Sequence, residues 1–195
     1  MSVTLYRRLN SAQQRQLLTI ANQAIRDYLY QGVANPPSLD NYDSIMQEIG
    51  ACFVTLKVKD QLQGCLGTLE ATKPLALEVY DKAYASTHQD SRFTPLIESQ
   101  LSALTVEVSV LSKPKALAIE SEMALLNYLT NNKPGIILRE HQRTAVFLPQ
   151  VWQQLPQPEE FIRHLKAKAK WPANYWSDAM EVSTFNVQII NSLSV

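Results

Sequence analysis

The alternation of side chains at residues 104–110 constrains the fold more than any other feature of the sequence. Apolar side chains occupy the even positions from Leu104 to Val110, and Thr105, Glu107 and Ser109 occupy the odd positions. Successive side chains of a strand point to opposite faces of a sheet. The segment therefore predicts a strand with one buried face and one polar face, which is typical of an antiparallel sheet covered by helices on one side.

Four segments place apolar residues at the spacing of a helix. They are residues 11–31, 74–88, 120–129 and 158–169. Ser11 and Gln14 predict a capping box at the start of the first helix, and Gly32 predicts its end. Pro74 is expected to open the second helix.

Short β-rich segments predict two hairpins and a closing strand. The hairpins are residues 52–58 with 61–69 and residues 135–139 with 143–148, and the closing strand is 184–191. The turn at Lys59-Asp60 lacks the glycine that tight hairpin turns favour. Because strands and helices do not alternate regularly, we predict an α+β fold with a largely antiparallel sheet packed with helices.

The turn around Pro114 is a candidate boundary within the chain. We predict a larger subdomain formed by residues 1–115 with 183–195 and a smaller subdomain formed by residues 116–182. The last strand is expected to return to the first sheet.

Charge and cysteine usage narrow the class of protein. The 18 basic residues balance the 18 acidic ones, whereas a nonspecific nucleic-acid binder normally carries a positive excess. Cys52 and Cys65 are too few for a disulfide framework. The segment Met1 to Arg8 is not followed by the apolar stretch of a signal peptide, and no apolar run approaches the roughly 20 residues that span a bilayer. These features predict a cytoplasmic protein without a membrane segment, and make nucleic acid an unlikely partner.

The segment Leu62-Gln-Gly-Cys-Leu-Gly-Thr68 resembles the L-R-G-C-I-G-T signature of the AMMECR domain family. Further ordered motifs agree with the family pattern over about residues 50–190. They are Phe53-Val-Thr-Leu56, Asp90-Ser-Arg-Phe93, Leu104 to Pro114, Phe147-Leu-Pro-Gln-Val-Trp152, Phe161 to Ala169 and Asn174-Tyr-Trp-Ser177. The last three are similar to the bacterial branch, known as protein A of the AmmeMemoRadiSam system.

The resemblance implies an α+β fold with a larger domain, a smaller domain and a cleft between them. The family's activity is not established, and its bacterial members are associated with a Memo-like protein and a radical SAM protein. Two positions depart from the family pattern. Gln63 stands where the family usually has Arg, and Lys170 follows Ala169 where relatives often have Gly.

Cys65 is the candidate catalytic residue because it lies between Gly64 and Gly67 in a predicted strand. Glycine inside a strand indicates a bulge or the close approach of a ligand or another backbone. A thiol there serves as a nucleophile, a metal ligand or a redox group, or is simply a small buried hydrophobe. Thr68 adds a hydroxyl nearby. A two-residue turn places Cys65 opposite Val54, and a bulge turns it to the other face.

A nucleophilic thiol needs a base or a cationic field. The candidates are His88, His141, His164 and Arg92, of which only Arg92 lies in a matched motif. Two isolated cysteines provide no zinc-ligand spacing. The sequence identifies no cofactor.

Asp90 and Arg92 admit two interpretations. They form a pair in which the guanidinium grips an anionic ligand. Alternatively, Asp90 caps a turn and Arg92 pairs with a carboxylate such as Glu107. Together, Cys65, Gly64, Gly67, Thr68, Asp90 and Arg92 are the predicted site residues.

The helix predicted at residues 158–169 also admits two interpretations. Arg163, Lys166 and Lys170 fall on one arc, as a contact for phosphate or as an ordinary solvated face. The aromatic residues around this helix either stack on a planar ligand or belong to the core. They are Trp152, Trp171, Tyr175 and Trp176.

Two functions from different classes follow from the sequence. The first is an enzyme or enzyme component with a cleft that binds a small molecule, acting in a pathway with Memo-like and radical SAM proteins. The second is a non-catalytic binding or adaptor module for such partners, which the lack of a complete catalytic constellation favours.

Overall fold

The computed structural model describes residues 8–191, so the expectation about the N-terminal residues before Arg8 lies outside it. Antiparallel strands and helices form the chain, which confirms the α+β class. The chain folds into two compact units. One extends to Leu111 and resumes at Gln188, and the other is Ser112–Val187. The predicted subdivision at 116–182 and the cleft stay predictions.

The described part of the first unit contains three α-helices, one π-helical turn, two 3₁₀ helices and a five-stranded sheet. The helices are α1 (Ser11–Arg26), α2 (Ser44–Gln47) and α3 (Leu75–Ser86). The strands are β1 (Ile49–Val58), β2 (Gln61–Gly67), β3 (Lys73–Pro74), β4 (Leu104–Leu111) and β9 (Val187–Asn191). The order is β2-β1-β4-β9, with β3 paired to β1. The predicted return of the last strand to this sheet is confirmed.

The second unit contains two helices and a four-stranded sheet. The helices are α4 (Glu122–Asn131) and α5 (Pro158–Lys168). The strands are β5 (Lys115–Ala116), β6 (Gly135–Glu140), β7 (Arg143–Phe147) and β8 (Glu181–Phe185), in the order β5-β8-β6-β7. The segment predicted as one closing strand is thus two strands, β8 and β9, which belong to different sheets and meet at Asn186.

The start of the first helix differs from the sequence-based expectation. Asn10, not Ser11, is the N-cap, and it forms the capping box with Gln13. The helix also does not continue regularly to Gln31, because Asp27–Gln31 is a π-helical turn. Gly32 ends this turn in the left-handed conformation (φ 68°), as predicted.

The core of the first unit lies between one face of its sheet and helices α1 and α3. Strand β1 contributes Cys52, Val54 and Leu56, and β4 contributes Val106 and Val108. These are alternate residues, so the residues between them lie on the opposite face. Within residues 8–191, no helix is long and apolar enough to cross a bilayer.

Candidate functional site

A β-bulge decides which way Cys65 faces. The turn at Lys59-Asp60 is the predicted two-residue turn, and both residues have positive φ (50° and 62°), as in a type I′ turn. The register shifts between Leu56 and Lys57, which leaves Gln63 as the additional residue of β2. Cys65 consequently lies opposite Thr55, so the bulged register is the correct one of the two alternatives.

The bulge places Cys65 on the sheet face that does not pack on α1 and α3. Its sulfur lies 3.2 Å from Thr55 Oγ1, within hydrogen-bond distance. Cys65 is partly exposed, whereas Cys52 is fully buried in the core. Burial raises the pKa of the Cys52 thiol well above its usual range. Of the two free cysteines, Cys65 is therefore the one with exposed surface.

The two predicted glycines are required by close contacts within the protein. A Cβ at Gly64 would lie 2.1 Å from the carbonyl oxygen of Ser86, at the end of α3. A Cβ at Gly67 would lie 2.3 Å from the Phe53 ring and 2.5 Å from the Cys52 carbonyl oxygen. The glycines therefore allow a backbone and a ring to approach β2.

Ser86 links the β1 and β2 ladder beside Cys65. Its hydroxyl donates to the carbonyl of Val54 (3.0 Å) and accepts the N–H of Leu66 (3.1 Å). Val54 and Leu66 are partners across the two strands. The end of α3 is thus fixed to the strand that carries the thiol.

Asp90 and Arg92 lie in the loop after α3 and bind the outer edge of β2. Asp90 Oδ2 accepts the backbone N–H of Cys65 (2.9 Å), and Arg92 Nη2 donates to the Cys65 carbonyl (3.3 Å). Arg92 also donates to the Asp90 carboxylate through Nε (2.9 Å) and Nη2 (2.7 Å). Asp90 and Arg92 thus provide the hydrogen-bond acceptor and donor that a neighbouring strand would provide to the backbone of Cys65.

The electrostatics of this pair agree with its geometry. Hydrogen bonding from Arg92 holds the pKa of Asp90 well below its usual range, although burial opposes the shift. The hydrogen bond to Asp90 raises the pKa of Arg92, although burial opposes the shift. Arg92 therefore carries its charge beside Cys65 while 58% of its side chain remains exposed.

The structural interpretation of Asp90 and Arg92 is partly correct, and the binding of an anionic ligand stays a prediction. Asp90 caps its own turn, since its Oδ1 accepts the N–H of Arg92 (3.3 Å). The expectation that Arg92 pairs with Glu107 is wrong, because the carboxylate that Arg92 pairs with is that of Asp90. Glu107 instead pairs with Lys57, with 3.7 Å between Oε2 and Nζ. Three of the guanidinium's donors are used internally, and among the described residues no hydrogen bond involves Nη1.

Gln63, at the family's arginine position, also holds the loop. Its Nε2 donates to the carbonyl of Thr94 (2.6 Å), and its Oε1 accepts from Gln100 (3.3 Å). Gln63 thus connects β2 to the segment that follows Arg92.

Other predicted groups are engaged elsewhere. The Thr68 hydroxyl donates to the carbonyl of Glu70 (3.0 Å), so it is engaged within its own turn. His88 stacks on Tyr28 with ring centroids 4.5 Å apart. Within residues 8–191, the groups hydrogen-bonded to Cys65 belong to Thr55, Asp90 and Arg92, and no cluster of three His, Cys, Asp or Glu residues could hold a metal ion.

Sequence reasoning missed the polar row beside the thiol. Thr55 pairs with Cys65 on one side and with Glu107 on the other, so a thiol, a hydroxyl and a carboxylate share one face of three adjacent strands. The alternation of β4 already placed Glu107 on the polar face. The position of Thr55 in β1 shows which face of the sheet it occupies. That position identifies Thr55 as a neighbour of Cys65 only when the register of β2 is known.

In the second unit, the predicted basic arc on α5 does not exist as such. Lys166 has no exposed side-chain area, and its Nζ donates to both carboxylate oxygens of Glu122 (2.8 Å each). Lys170 lies beyond the end of α5. Trp152 stacks on Phe161 in the core, with ring centroids 3.6 Å apart.

Glu140 is a second buried polar group of this unit. Its carboxylate accepts hydrogen bonds from the hydroxyls of Ser177 and Tyr175. Hydrogen bonding from Ser177 is the largest of the effects that lower the pKa of Glu140. These hydrogen bonds hold the segment before β8 against the end of β6. Glu140, Tyr175 and Ser177 therefore have a structural role.

Comparison with known proteins agrees with this fold. The sequence is 34% identical over 170 residues to a protein of Thermotoga maritima, covering 86% of this chain and 92% of that one. It is 32% identical over 185 residues to Protein MK0488 of Methanopyrus kandleri, covering 89% and 85%. The structure resembles the crystal structure of the uncharacterized protein PH0010 from Pyrococcus horikoshii, with a TM-score of 0.75 and 28% identity over 89% of this chain and 88% of that one.

One continuous match to a family model covers both the signature around Cys65 and the two units of the fold. The sequence model of the AMMECR1 family matches residues 18–190, from α1 to β9. The chain therefore belongs to the AMMECR1 family.

Proposed function

We propose that the chain is an enzyme or enzyme component whose small-molecule ligand binds at the thiol edge, defined here as Cys65, Thr55, Asp90 and Arg92. The observation that carries the proposal is the Asp90–Arg92 pair, which binds both backbone polar groups of Cys65. This pair fixes the position of a partly exposed thiol. A rigidly held reactive group is what catalysis requires of a site.

Arg92 supports an anionic ligand. Asp90 occupies Nε and Nη2 of the guanidinium, so its plane is fixed while Nη1 points away from those contacts. An oriented guanidinium binds carboxylate or phosphate oxygens more selectively than a mobile ammonium. The guanidinium also donates to the backbone carbonyl of Cys65, and a cationic group is one of the two partners that a nucleophilic cysteine needs. Gly64, Gly67 and Thr68 shape this edge without contacting the ligand.

A complete reaction needs a further group. Among the described residues, the Cys65 thiol is hydrogen-bonded to Thr55 and to no base, so the proposal passes its proton to the substrate or to a partner protein. The family association makes a Memo-like protein and a radical SAM protein the proposed pathway partners, and the chain the protein A of such a bacterial system in the cytoplasm.

Site-resolved alkylation tests the proposal. The full chain is treated with iodoacetamide, and modification of Cys65 and Cys52 is followed by peptide mass spectrometry. We expect rapid modification of Cys65, slower modification in Arg92→Gln, and no change in Arg139→Gln, which removes an exposed arginine of the second unit. Inorganic phosphate, as a probe of the anion site, should slow alkylation of Cys65 in the wild type but not in Arg92→Gln. Equal, slow modification of both cysteines would overturn the proposal.

The adaptor function is the second candidate, and the lack of a base beside Cys65 favours it. Size-exclusion chromatography with a purified Memo-like protein and a radical SAM protein tests it, with and without SAM. Co-elution that survives Cys65→Ala would support an adaptor that does not need the thiol. Separate elution under every condition would argue against it.

A further inference from the structure

A row of polar side chains continues from the thiol edge across the first sheet. Cys65 on β2 is paired with Thr55 on β1, and Thr55 is paired with Glu107 on β4. Side chains of residues paired in this way share one face of a sheet, here the face opposite α1 and α3. The row begins at the guanidinium of Arg92, beside Cys65, and ends at the carboxylate of Glu107. Its two ends therefore carry opposite charges.

The carboxylate of Glu107 is accessible to a ligand. Its side chain is 22% exposed, and its charged partner among the described residues is Lys57, with 3.7 Å between Oε2 and Nζ. That distance is longer than a hydrogen bond, and exposed ion pairs of this kind contribute little to stability. Since Lys57 is itself 39% exposed, a ligand can displace its ammonium at small cost. The pair also shows that an ammonium group fits against this carboxylate.

Phe53 and Lys57 border the row on its two sides along β1. Both lie two residues from Thr55, so they share its face of the sheet. The Phe53 ring lies over its ladder partner Gly67, since a Cβ at Gly67 would lie 2.3 Å from that ring. An aromatic ring on one side and the aliphatic stem of a lysine on the other leave the polar row as the path for an elongated ligand.

The length of the row sets the length of that ligand. Adjacent strands lie about 4.8 Å apart, so the backbones at Cys65 and Glu107 are separated by roughly 10 Å. Arg92 lies at the outer edge of β2, beyond Cys65. An extended peptide advances about 3.3 Å per residue, so about three residues cover this span. The amine and carboxylate of a single amino acid lie too close together to reach both charges.

We propose that the thiol edge and Glu107 together bind a short peptide of about three residues with free ends. The peptide carboxylate binds Nη1 of Arg92, and the peptide ammonium binds Glu107 in place of Lys57. The middle of the peptide lies over Thr55 and Cys65. This inference rests on the proposed function and adds the chemical class of the ligand. Glu107 is the residue that selects the amine, because it supplies the negative charge at the far end of the row.

A ligand-observed NMR titration of the full chain tests the inference, because its readout does not depend on the reactivity of the thiol. The probes are trialanine, N-acetyl-trialanine, trialanine amide and free alanine. Trialanine should bind the wild type about tenfold more tightly than either blocked form, because each blocked end loses a charge-assisted hydrogen bond. Acetylation should have no effect on binding to Glu107→Gln, and amidation should have no effect on binding to Arg92→Gln.

Two further variants separate the proposed contacts from indirect effects. Glu181→Gln, at an exposed glutamate of β8, is the matched control and should bind all the probes like the wild type. Lys57→Gln removes the competing ammonium and should bind trialanine more tightly than the wild type. If a variant does not fold, the comparison of the probes on the wild type still decides the proposal.

Several outcomes would overturn the peptide assignment. They are wild-type binding of N-acetyl-trialanine or free alanine as tight as that of trialanine, no binding of any probe, and weaker binding of trialanine to Lys57→Gln. These results leave the alkylation of Cys65 and its protection by inorganic phosphate unaffected, so they differ from a failure of the proposed function. Conversely, equal, slow alkylation of both cysteines would overturn the reactive thiol while trialanine binding remained measurable.

Discussion

The carboxylate of Asp90 and the backbone N–H of Cys65 form a hydrogen bond of 2.9 Å between groups 25 residues apart. Cys65 lies on β2, which has β1 as its only neighbour among the strands of residues 8–191. The loop after α3 therefore completes the sheet at this residue. A charged acceptor strengthens such a bond, since charge-assisted hydrogen bonds are shorter and stronger than neutral ones.

Replacing Asp90 should destabilise the fold as well as the site. Asp90→Ala leaves the N–H of Cys65 and part of Arg92 without acceptors, which costs about 2–3 kcal/mol of the free energy of unfolding. Urea denaturation measures the loss. Asp178→Ala, at an exposed aspartate of the second unit, should change stability by less than about 0.5 kcal/mol. Equal midpoints for the two variants would contradict the assigned role.

The same carboxylate predicts an acid-sensitive contribution to stability. The pKa of Asp90 is lower in the folded chain than in the unfolded chain, chiefly because Arg92 donates to it. Its contribution is therefore fully present above the unfolded pKa of about 4 and is lost as the pH falls through that value towards the folded pKa. The stability difference between wild type and Asp90→Asn should shrink as the pH falls below about 5. A constant difference would show that the charge of Asp90 is unimportant.

Local periodicity predicted most of the fold. The alternation in β4 and the helical spacing in α3 and α5 depend on residues close in sequence, and these elements were placed within a few positions. The sequence did not predict that the closing strand is divided at Asn186, because the segments on both sides have a β-rich composition. A chain that leaves one sheet and joins another changes its partners without changing its local pattern.

The site could be predicted less completely, because its geometry depends on contacts distant in sequence. The motif named Asp90 and Arg92, and both contact the backbone of Cys65, while their role in a binding site stays a prediction. The bulge at Gln63 has no local signature, and it alone decides that the thiol faces Thr55. The position of Lys166 was wrong for a similar reason, since its partner Glu122 lies on another helix.

Gly64 should be the least replaceable glycine of the signature. In Gly64→Ala the new methyl group would lie 2.1 Å from the Ser86 carbonyl oxygen, so the end of α3 must move. We expect a loss of about 3 kcal/mol in unfolding free energy. Gly50→Ala in the same sheet meets only the Leu75 side chain, at 3.1 Å, and should cost less than about 1 kcal/mol. Similar chemical denaturation curves for the two variants would refute the close-contact explanation.

The ion pair of Lys166 and Glu122 should be costly to break but unnecessary for stability. Glu122→Ala leaves a buried ammonium without its counter-charge, and we expect a loss of about 3–5 kcal/mol. The double variant Glu122→Leu with Lys166→Met replaces both charges by apolar groups and should recover most of that loss. Thermal unfolding measures the stability of the single and double variants. A double variant as unstable as Glu122→Ala would contradict the prediction that the ion pair is unnecessary for stability.

Lys170 occupies a position that favours glycine. Its φ is 61°, in the left-handed region, and it follows the last turn of α5. The N–H groups of Lys170 and Trp171 donate to the carbonyls of Ala167 (3.0 Å) and Lys166 (3.1 Å), which is the Schellman arrangement that usually contains glycine. The helix end therefore keeps this geometry with a lysine at the left-handed position. Lys170→Gly should raise the free energy of unfolding by about 0.5–1 kcal/mol, because the gain from removing left-handed strain exceeds the entropy cost of glycine. Lys170→Ala removes the charge but keeps the strain, so it should give no increase. Equal increases in the two variants, measured by urea denaturation, would assign the effect to the lost charge and not to the backbone.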